Sequence, residues 1–464
     1  MALDMLIVDA KVVTPSGIVE RNIAIDEGKI VSLTVDEHQA STRINASGLY
    51  ALPGVIDPHV HYGVFQSIDK AAESESRSAC IGGVTTMMRM LRLYARYTDK
   101  LMLHLKASGK HYVDYAYHAS ILMQEHLEDR ELDYCIKNGI TSFKLYMNLK
   151  GELGGIYMDI DPYSDGLLYA NVDTTDAMVD SALREVARRK ALLLVHAEDA
   201  YLCYESTLKV KGEGRDDLRA WSDARPSVSE YNAIMMLSDL ASRYDASLYI
   251  VHVGSSLALD AIAHARSRGI RVYAETCPQY LTHTYDFDIR GKVVPPLRSK
   301  DDVASVWNAI SSSMIDCIGT DHVANRLSMK RGNGSVWNAL AGFPGVATML
   351  PVLLSEGVKK GRITLEQLVR LTSYNTARIF RLRGKGLITH GYDADIVLVD
   401  MDRDVRVSSE MLHSYSDYSI YDGMVLKGWP VCTIVRGSIV MDNGSVVGKA
   451  GYGRYITRSV DDEV

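Results

Sequence analysis

Two hydrophobic rhythms divide the chain. The first fifty residues alternate apolar and polar positions in short runs: LIVDAKVVTP, NIAIDEGKIVSLTV and INASGLYALP. A period of two predicts strands with one buried face, and the DEG and ASG triplets supply turn chemistry. From Gly54 the pattern changes to apolar strands followed by amphipathic helical stretches. Eight strand candidates follow: GVIDPHVHY, VTTMMRML, YVDYAYHASI, ITSFKLYM, ALLLVHAE, SLYIVHVG, IRVYAETC and MIDCIGTD. Between most of them lie helical stretches such as TTDAMVDSALREVARRKA and ALDAIAHARSRG, the second ending on a C-cap glycine. After about residue 384 strands return in GLITHGYDADIVLVD and CTIVRGSIVMDNGSVV.

This order predicts an α/β fold: a (β/α)8 TIM-like barrel over residues 53–383, with its helices outside. A doubly wound open sheet lacks its signal, since no GxGxxG follows the first strand. Residues 1–52 and 384–464 are expected to form a small β-sandwich built by both chain ends. The last residues, DDEV, read as a frayed acidic tail.

Composition narrows the function. With 464 residues, 47% hydrophobic and 23% charged, the chain can bury a core of real size. A net charge of −7 argues against nucleic acid or an anionic membrane as the main partner. No apolar run is long enough to span a bilayer, and the N-terminus lacks the basic region and cleavage site of a signal peptide. Six cysteines are scattered without a CxxC pair. That argues against a zinc ribbon or disulfide framework and points to a reducing cytoplasm.

The candidate chemistry lies at strand ends. Asp57, His59 and His61 fall on one face of GVIDPHVHY, at the C-terminal end where barrel active sites form. Two imidazoles two residues apart can bind one metal ion, or can simply be a polar strand edge. Three more strand ends favour the first reading. His196 closes LLLVH, His252 closes YIVH, and Asp321 stands beside His322 in CIGTDH. A lone histidine after an apolar strand is usually structural. Four histidines and an aspartate at equivalent ends of four strands are not explained that way. His104, His111, His126, His38, His390 and His413 lack such placement and read as surface or packing residues.

Lys144 ends the fourth strand, inside TSFKLYM. A buried ammonium is costly unless paired or chemically changed. Reaction with carbon dioxide would turn the amine into a carbamate, an anionic ligand with two oxygens. The alternatives are neutralisation by burial or a salt bridge, for instance to Asp321.

At this point the chain resembles the amidohydrolase superfamily, and within it the dihydropyrimidinase and hydantoinase branch of cyclic amidases. The resemblance runs nearly end to end, through LPGVIDPHVH, GGVTT, GITSFKLYM, VHAED, YIVHVGSS, AETCPQYL, PPLR, GTDH, GFPGV and DADIVLVD. It implies a centre of two divalent metal ions, usually zinc. His59 and His61 would bind one and His196 and His252 the other. Carbamylated Lys144 would bridge them, and Asp321 would complete the site. The implied reaction is hydrolysis of a cyclic amide by hydroxide, with Asp321 moving the proton to the leaving ring nitrogen. A small cyclic amide is then the partner, and a homo-oligomer, a tetramer in most relatives, is expected.

Several positions depart from that branch. Its tyrosine five residues after the bridging lysine, a donor to the tetrahedral intermediate, is here Leu149. Loss of one such donor costs about 10²–10³ in rate. Tyr146 matches a position that lines the pocket, or it packs. The segment GELGGIYMDIDPYSDGLLYANVD is longer than the usual loop, so Tyr157, Tyr163 or Tyr169 could restore a hydroxyl, unless the insertion serves oligomer contacts. Arg89 replaces an acidic or small residue, with Arg92 and Arg96 nearby. Such arginines either hold a substrate carboxylate or salt-bridge helices. Val294 and Ala341 replace a serine and an asparagine whose main-chain groups contact the substrate ring. Dihydroorotases carry an arginine where this chain has Gly63, which argues against that activity. Allantoinases also lack the tyrosine, so an allantoinase-like activity stays open. So does hydrolysis of another amide. A non-catalytic interaction protein of the same fold is the remaining alternative.

Overall fold

The computed structural model describes residues 3–36 and 38–461, so the last three residues of the DDEV tail lie outside the described residues. All eight strand candidates form strands of one parallel sheet. In order they are Val55–His61, Val84–Leu91, Asp114–Ser120, Ser142–Tyr146, Leu192–His196, Leu248–Ile250, Val272–Thr276 and Cys317–Ile318. Their residues are buried on both faces, as the near-continuous apolar runs require.

The eighth strand closes the barrel in two pieces. Cys317–Ile318 pairs with the seventh strand, whereas His322–Val323 pairs with the first. Gly319, Thr320 and Asp321 form the break between them. Thr320 holds it in place: its backbone N–H and its hydroxyl donate to the buried carboxylate of Asp57, at 3.1 and 2.6 Å.

Helices cover the barrel as the helical period predicts. Asp176–Arg188 is capped by Thr175, whose hydroxyl accepts from the Met178 N–H, and it buries Met178, Val179, Ala182, Leu183 and Val186. Gly269 follows the helix Ser256–Ser267 with φ of +82°, the left-handed geometry that ends helices.

Both chain ends share a second, nine-stranded sheet. Leu3–Thr14 pairs antiparallel with Gly17–Asp26 and parallel with Tyr50–Pro53. Ile396–Arg406 then lies antiparallel to both Tyr50–Pro53 and Val425–Val435. Met5, Ile7, Val12, Ile23, Ile396 and Ile434 fill one core on this sheet, so neither chain end completes it alone. All six cysteines are buried free thiols. Among the described residues no helix is long and apolar enough to cross a membrane.

Lys385 ties this sheet to the barrel. Its buried ammonium lies 2.5 Å from Asp114 of the third barrel strand, 2.6 Å from Asp395 and 3.0 Å from Asp393. Burial alone would lower its pKa, but the Asp395 and Asp114 carboxylates outweigh that and hold it above the usual lysine range. Arg436 also pairs with Asp114. Lys385→Met should leave buried carboxylates uncompensated and cost about 3–5 kcal/mol. Denaturant unfolding measures this, and an unchanged midpoint would show that the cluster does not join the two units.

Candidate metal centre and substrate cavity

The strand ends open into a cavity of about 610 Å³, with His59, His61, Lys144, His196, His252 and Asp321 on its wall. The structure therefore brings together every metal-ligand candidate read from the sequence. Asp57, expected on the same face, is instead fully buried and does not line the cavity. The pairing register between the first two strands shifts between Asp57 and Val60, which breaks the simple alternation.

His59, His61 and Asp321 form a compact donor set. The Nε2 atoms of the two histidines are 3.2 Å apart, and Asp321 Oδ1 lies 3.4 and 3.1 Å from them. A carboxylate behind the site aims the first imidazole. His59 Nδ1 lies 2.7 Å from Glu275 Oε1, so an N–H donated there leaves the Nε2 lone pair facing Asp321 and His61. Glu275 also accepts from the Tyr249 hydroxyl and the His252 N–H. Burial, with Lys144 adding to it, pushes His59 down to about 3, and burial drives His61 well below the usual range. Neutral imidazoles are the form that binds metal.

His196 ends the fifth strand and His252 lies just past the sixth, their ring centroids 4.5 Å apart. His196 Nε2 is hydrogen-bonded to Glu198 Oε2, which in turn pairs with Arg225 at 2.7 Å. Its Nδ1 is thus the nitrogen left for the cavity. Glu198 and Glu275 were not singled out in the sequence. Both lie within quoted motifs, VHAED and AETCPQYL, one or two residues from a strand end, and that spacing was the available signal.

Two ligand candidates adopt positive φ, His252 at +45° and Asp321 at +52°. Non-glycine residues reach that region at a cost, and such strain clusters at functional sites.

Lys144 is the least conventional group in the cavity. Its Nζ is fully buried with no hydrogen-bond partner. It makes no ion pair with Asp321, and burial pushes it down to about 7, against the pull of Glu275 and Asp321. A buried, partnerless amine bracketed by two imidazole pairs fits a position whose occupied state is not an ammonium.

The inserted segment supplies the roof. Gly155–Met158 and Leu168–Asn171 form a two-stranded hairpin, and Tyr157 and Tyr169 line the cavity with their rings 5.1 Å apart. Tyr163 is 74% exposed and does not line it. Leu149 packs with Leu122, Tyr146, Met158 and Val172, so it seats the hairpin on the barrel. The opposite wall carries Lys292–Val294 and Trp337–Gly342, which includes Val294 and Ala341. Tyr146 faces the cavity beside Lys144.

Arg89 requires a correction. It was a candidate for holding substrate, but its side chain is wholly buried and pairs with Asp159 at 2.7 Å. Arg89 Nε also donates to the Tyr62 carbonyl. It therefore anchors the hairpin and does not line the cavity. The alternation along Val84–Leu91 turns it away, and the cavity receives Arg92 instead. Gly63 belongs to the same arrangement. A Cβ there would meet Arg89 Nη2 at 2.3 Å, and Gly63 has φ of +94°, so any side chain there would have to displace Arg89 from Asp159.

A parallel eight-stranded barrel with histidines, an aspartate and a buried lysine converging at its strand ends is the frame of a metal-dependent hydrolase. The profile of the amidohydrolase family matches residues 50–440. The chain belongs to that family, in the branch of hydantoinases and dihydropyrimidinases. It is 31% identical to an L-hydantoinase of Paenarthrobacter aurescens, over 98% of each chain. It is 34% identical to a D-hydantoinase of Geobacillus stearothermophilus, over 98% of this chain and 96% of the other. Among solved structures, a dihydropyrimidinase from Brevibacillus agri NCHU1002 superposes with a TM-score of 0.87 at 32% identity. That match covers 98% of this chain and 99% of the other.

The Arg89–Asp159 pair gives a direct test of the roof. Asp159 Oδ2 also accepts from the Arg92 N–H at 2.9 Å, so Asp159→Ala removes the hairpin's main polar anchor. Limited proteolysis between residues 151 and 172 should become faster, with a stability loss of about 3–5 kcal/mol from the unpaired Arg89. Unchanged cleavage would mean the apolar seat around Leu149 suffices.

Proposed function

We propose that the protein hydrolyses the amide bond of a cyclic amide or ureide, hydantoin-like or dihydropyrimidine-like. The observation that carries this reading is the convergence of four imidazoles, Asp321 and the partnerless Lys144 amine in one cavity. His59 and His61 would hold one divalent cation and His196 and His252 a second, with zinc the expected metal. Asp321 would complete the site. Two such cations would supply Lewis acidity and a hydroxide nucleophile near neutral pH.

Lys144 would act as a carbamate between the pairs. The lone pair of the neutral amine bonds to the carbon of carbon dioxide and one proton leaves to solvent, so a buried neutral amine becomes an anion. Depression of the amine to about 7 favours the neutral form that this step needs.

The remaining residues would handle the substrate. Asp321, whose pKa burial raises, accepts the proton released on attack and delivers it to the ring nitrogen as the C–N bond breaks. Main-chain groups at Val294 and Ala341 hold the ring. Leu149 donates nothing, and Tyr146 offers a hydroxyl in its place. The Tyr146 oxygen accepts from Arg92 Nε at 3.1 Å, which leaves its own proton to donate to a developing oxyanion. Leu149 also favours a second reading, hydrolysis of an allantoin-like ureide. The intact ligand set speaks against a non-catalytic interaction protein.

Metal analysis should find two equivalents per chain, and Lys144→Ala should lose them. Labelled bicarbonate should give a carbamate carbon signal that the variant lacks. An unlabelled, fully metallated protein would defeat the bridging role.

A panel of hydantoins, dihydropyrimidines, allantoin and imides tests the reaction itself. At least one ring should open, and Tyr146→Phe should lower kcat about 10²–10³-fold. Opening of none would overturn the proposed activity.

A further inference from the structure

Three arginines lie in or just after the second barrel strand, and two have carboxylate partners. Arg89 pairs with Asp159. Arg96 pairs with Glu128 at 2.5 Å, on the outer face. Arg92 lines the cavity, and although its backbone N–H donates to Asp159, among the described residues its guanidinium has no carboxylate partner.

The contacts of the guanidinium are all with neutral groups. Nε donates to the Tyr146 hydroxyl, the guanidinium lies over the Tyr146 ring at 5.5 Å, and Nη2 is 3.3 Å from His61 Nε2. The last contact uses the lone pair by which His61 would bind metal, so Nη2 would lose it in the loaded protein. A guanidinium with a free edge would then stand in a confined cavity beside a cationic centre. Such a charge is costly without an anion, and a planar fork suits a carboxylate.

The rest of the wall offers no anion to fill that role. Among the described residues Asp321 is the only acidic side chain on it, and it belongs to the metal-ligand set. Besides Lys144, the other basic side chain on the wall, Lys292, is occupied differently. Its Nζ donates to the Ala339 carbonyl at 2.6 Å and lies 4.2 Å over the Trp221 ring.

We infer that Arg92 selects cyclic amides bearing a carboxylate substituent, which its Nη edge holds while the ring lies against the strand ends. This rests on the hydrolase reading and narrows it to an anionic substrate class.

The test compares two rings of equal shape: a hydantoin carrying a propionate side chain and the same hydantoin carrying the neutral propionamide. The metal-loaded protein should favour the propionate in kcat/KM by roughly 10- to 100-fold. Arg92→Met should bring that ratio close to one. Arg92→Lys, which keeps the charge and loses the fork, should retain part of it. Unchanged metal content and melting temperature show that the variants are folded.

Equal rates on both rings overturn the inference and leave the hydrolase reading standing. So does a ratio that survives in Arg92→Met while both rates fall, because Arg92 would then serve the reaction and not the substituent. If neither ring opens, the hydrolase reading fails for these rings, and calorimetric binding to the metal-loaded protein decides the matter for Arg92. Tighter binding of the propionate that disappears in Arg92→Met supports the inference, and equal binding overturns it.

Discussion

Desolvation of one amine governs the upper face of this barrel. Lys144 sits on the fourth strand with its Nζ sealed from water and, among the described residues, without a hydrogen-bond partner. Burial makes an ammonium there costly without a close anion. The nearest carboxylates are committed elsewhere, Glu275 to His59 and Asp321 to the His59–His61 pair. Everything around the amine therefore suits an anionic derivative of it flanked by cations. The imidazoles are held neutral by the same burial, and Glu198 and Glu275 orient two of them from behind.

Much of this was legible in the sequence, because it depends on periodicity. A strand in a closed barrel is buried on both faces, so its end is marked where an apolar run meets a polar residue. His196, His252 and Lys144 stand out by that rule. Arg89 and Arg92 defeated it, because both are polar residues near the end of one strand. Alternation sends one inward to Asp159 and the other to the cavity, but choosing between them requires the partner, seventy residues later in an insertion. The hairpin was likewise visible only as extra length. Its glycines and tyrosines announce turns and faces, not what they will pack against. The pairing of both chain ends in one sheet was readable from their shared alternation, whereas the Lys385 cluster that fastens the sheet was not.

The departures from the hydantoinase pattern are physically connected. Leu149 gives up a hydroxyl and gains an apolar seat for the hairpin. The hairpin brings Asp159, which makes a buried Arg89 tolerable, and Arg89 fills the space beside Gly63. A tyrosine restored at position 149 alone would thus disturb the roof before it could assist the reaction. The substitutions form one remodelled corner of the cavity, with Arg92 presented at its edge.

The broken eighth strand can be viewed as a clasp. A barrel is a hoop of backbone hydrogen bonds, and here the hoop is fastened where the chain passes Thr320 and Asp321. The fastening is made by side chains, Thr320 to Asp57, and not by a continuous ladder. The residue assigned to move the proton rides on the fastener. In the proposed reaction, mechanical integrity and proton transfer would therefore share one joint, and whatever loosens the hoop would reach the chemistry first.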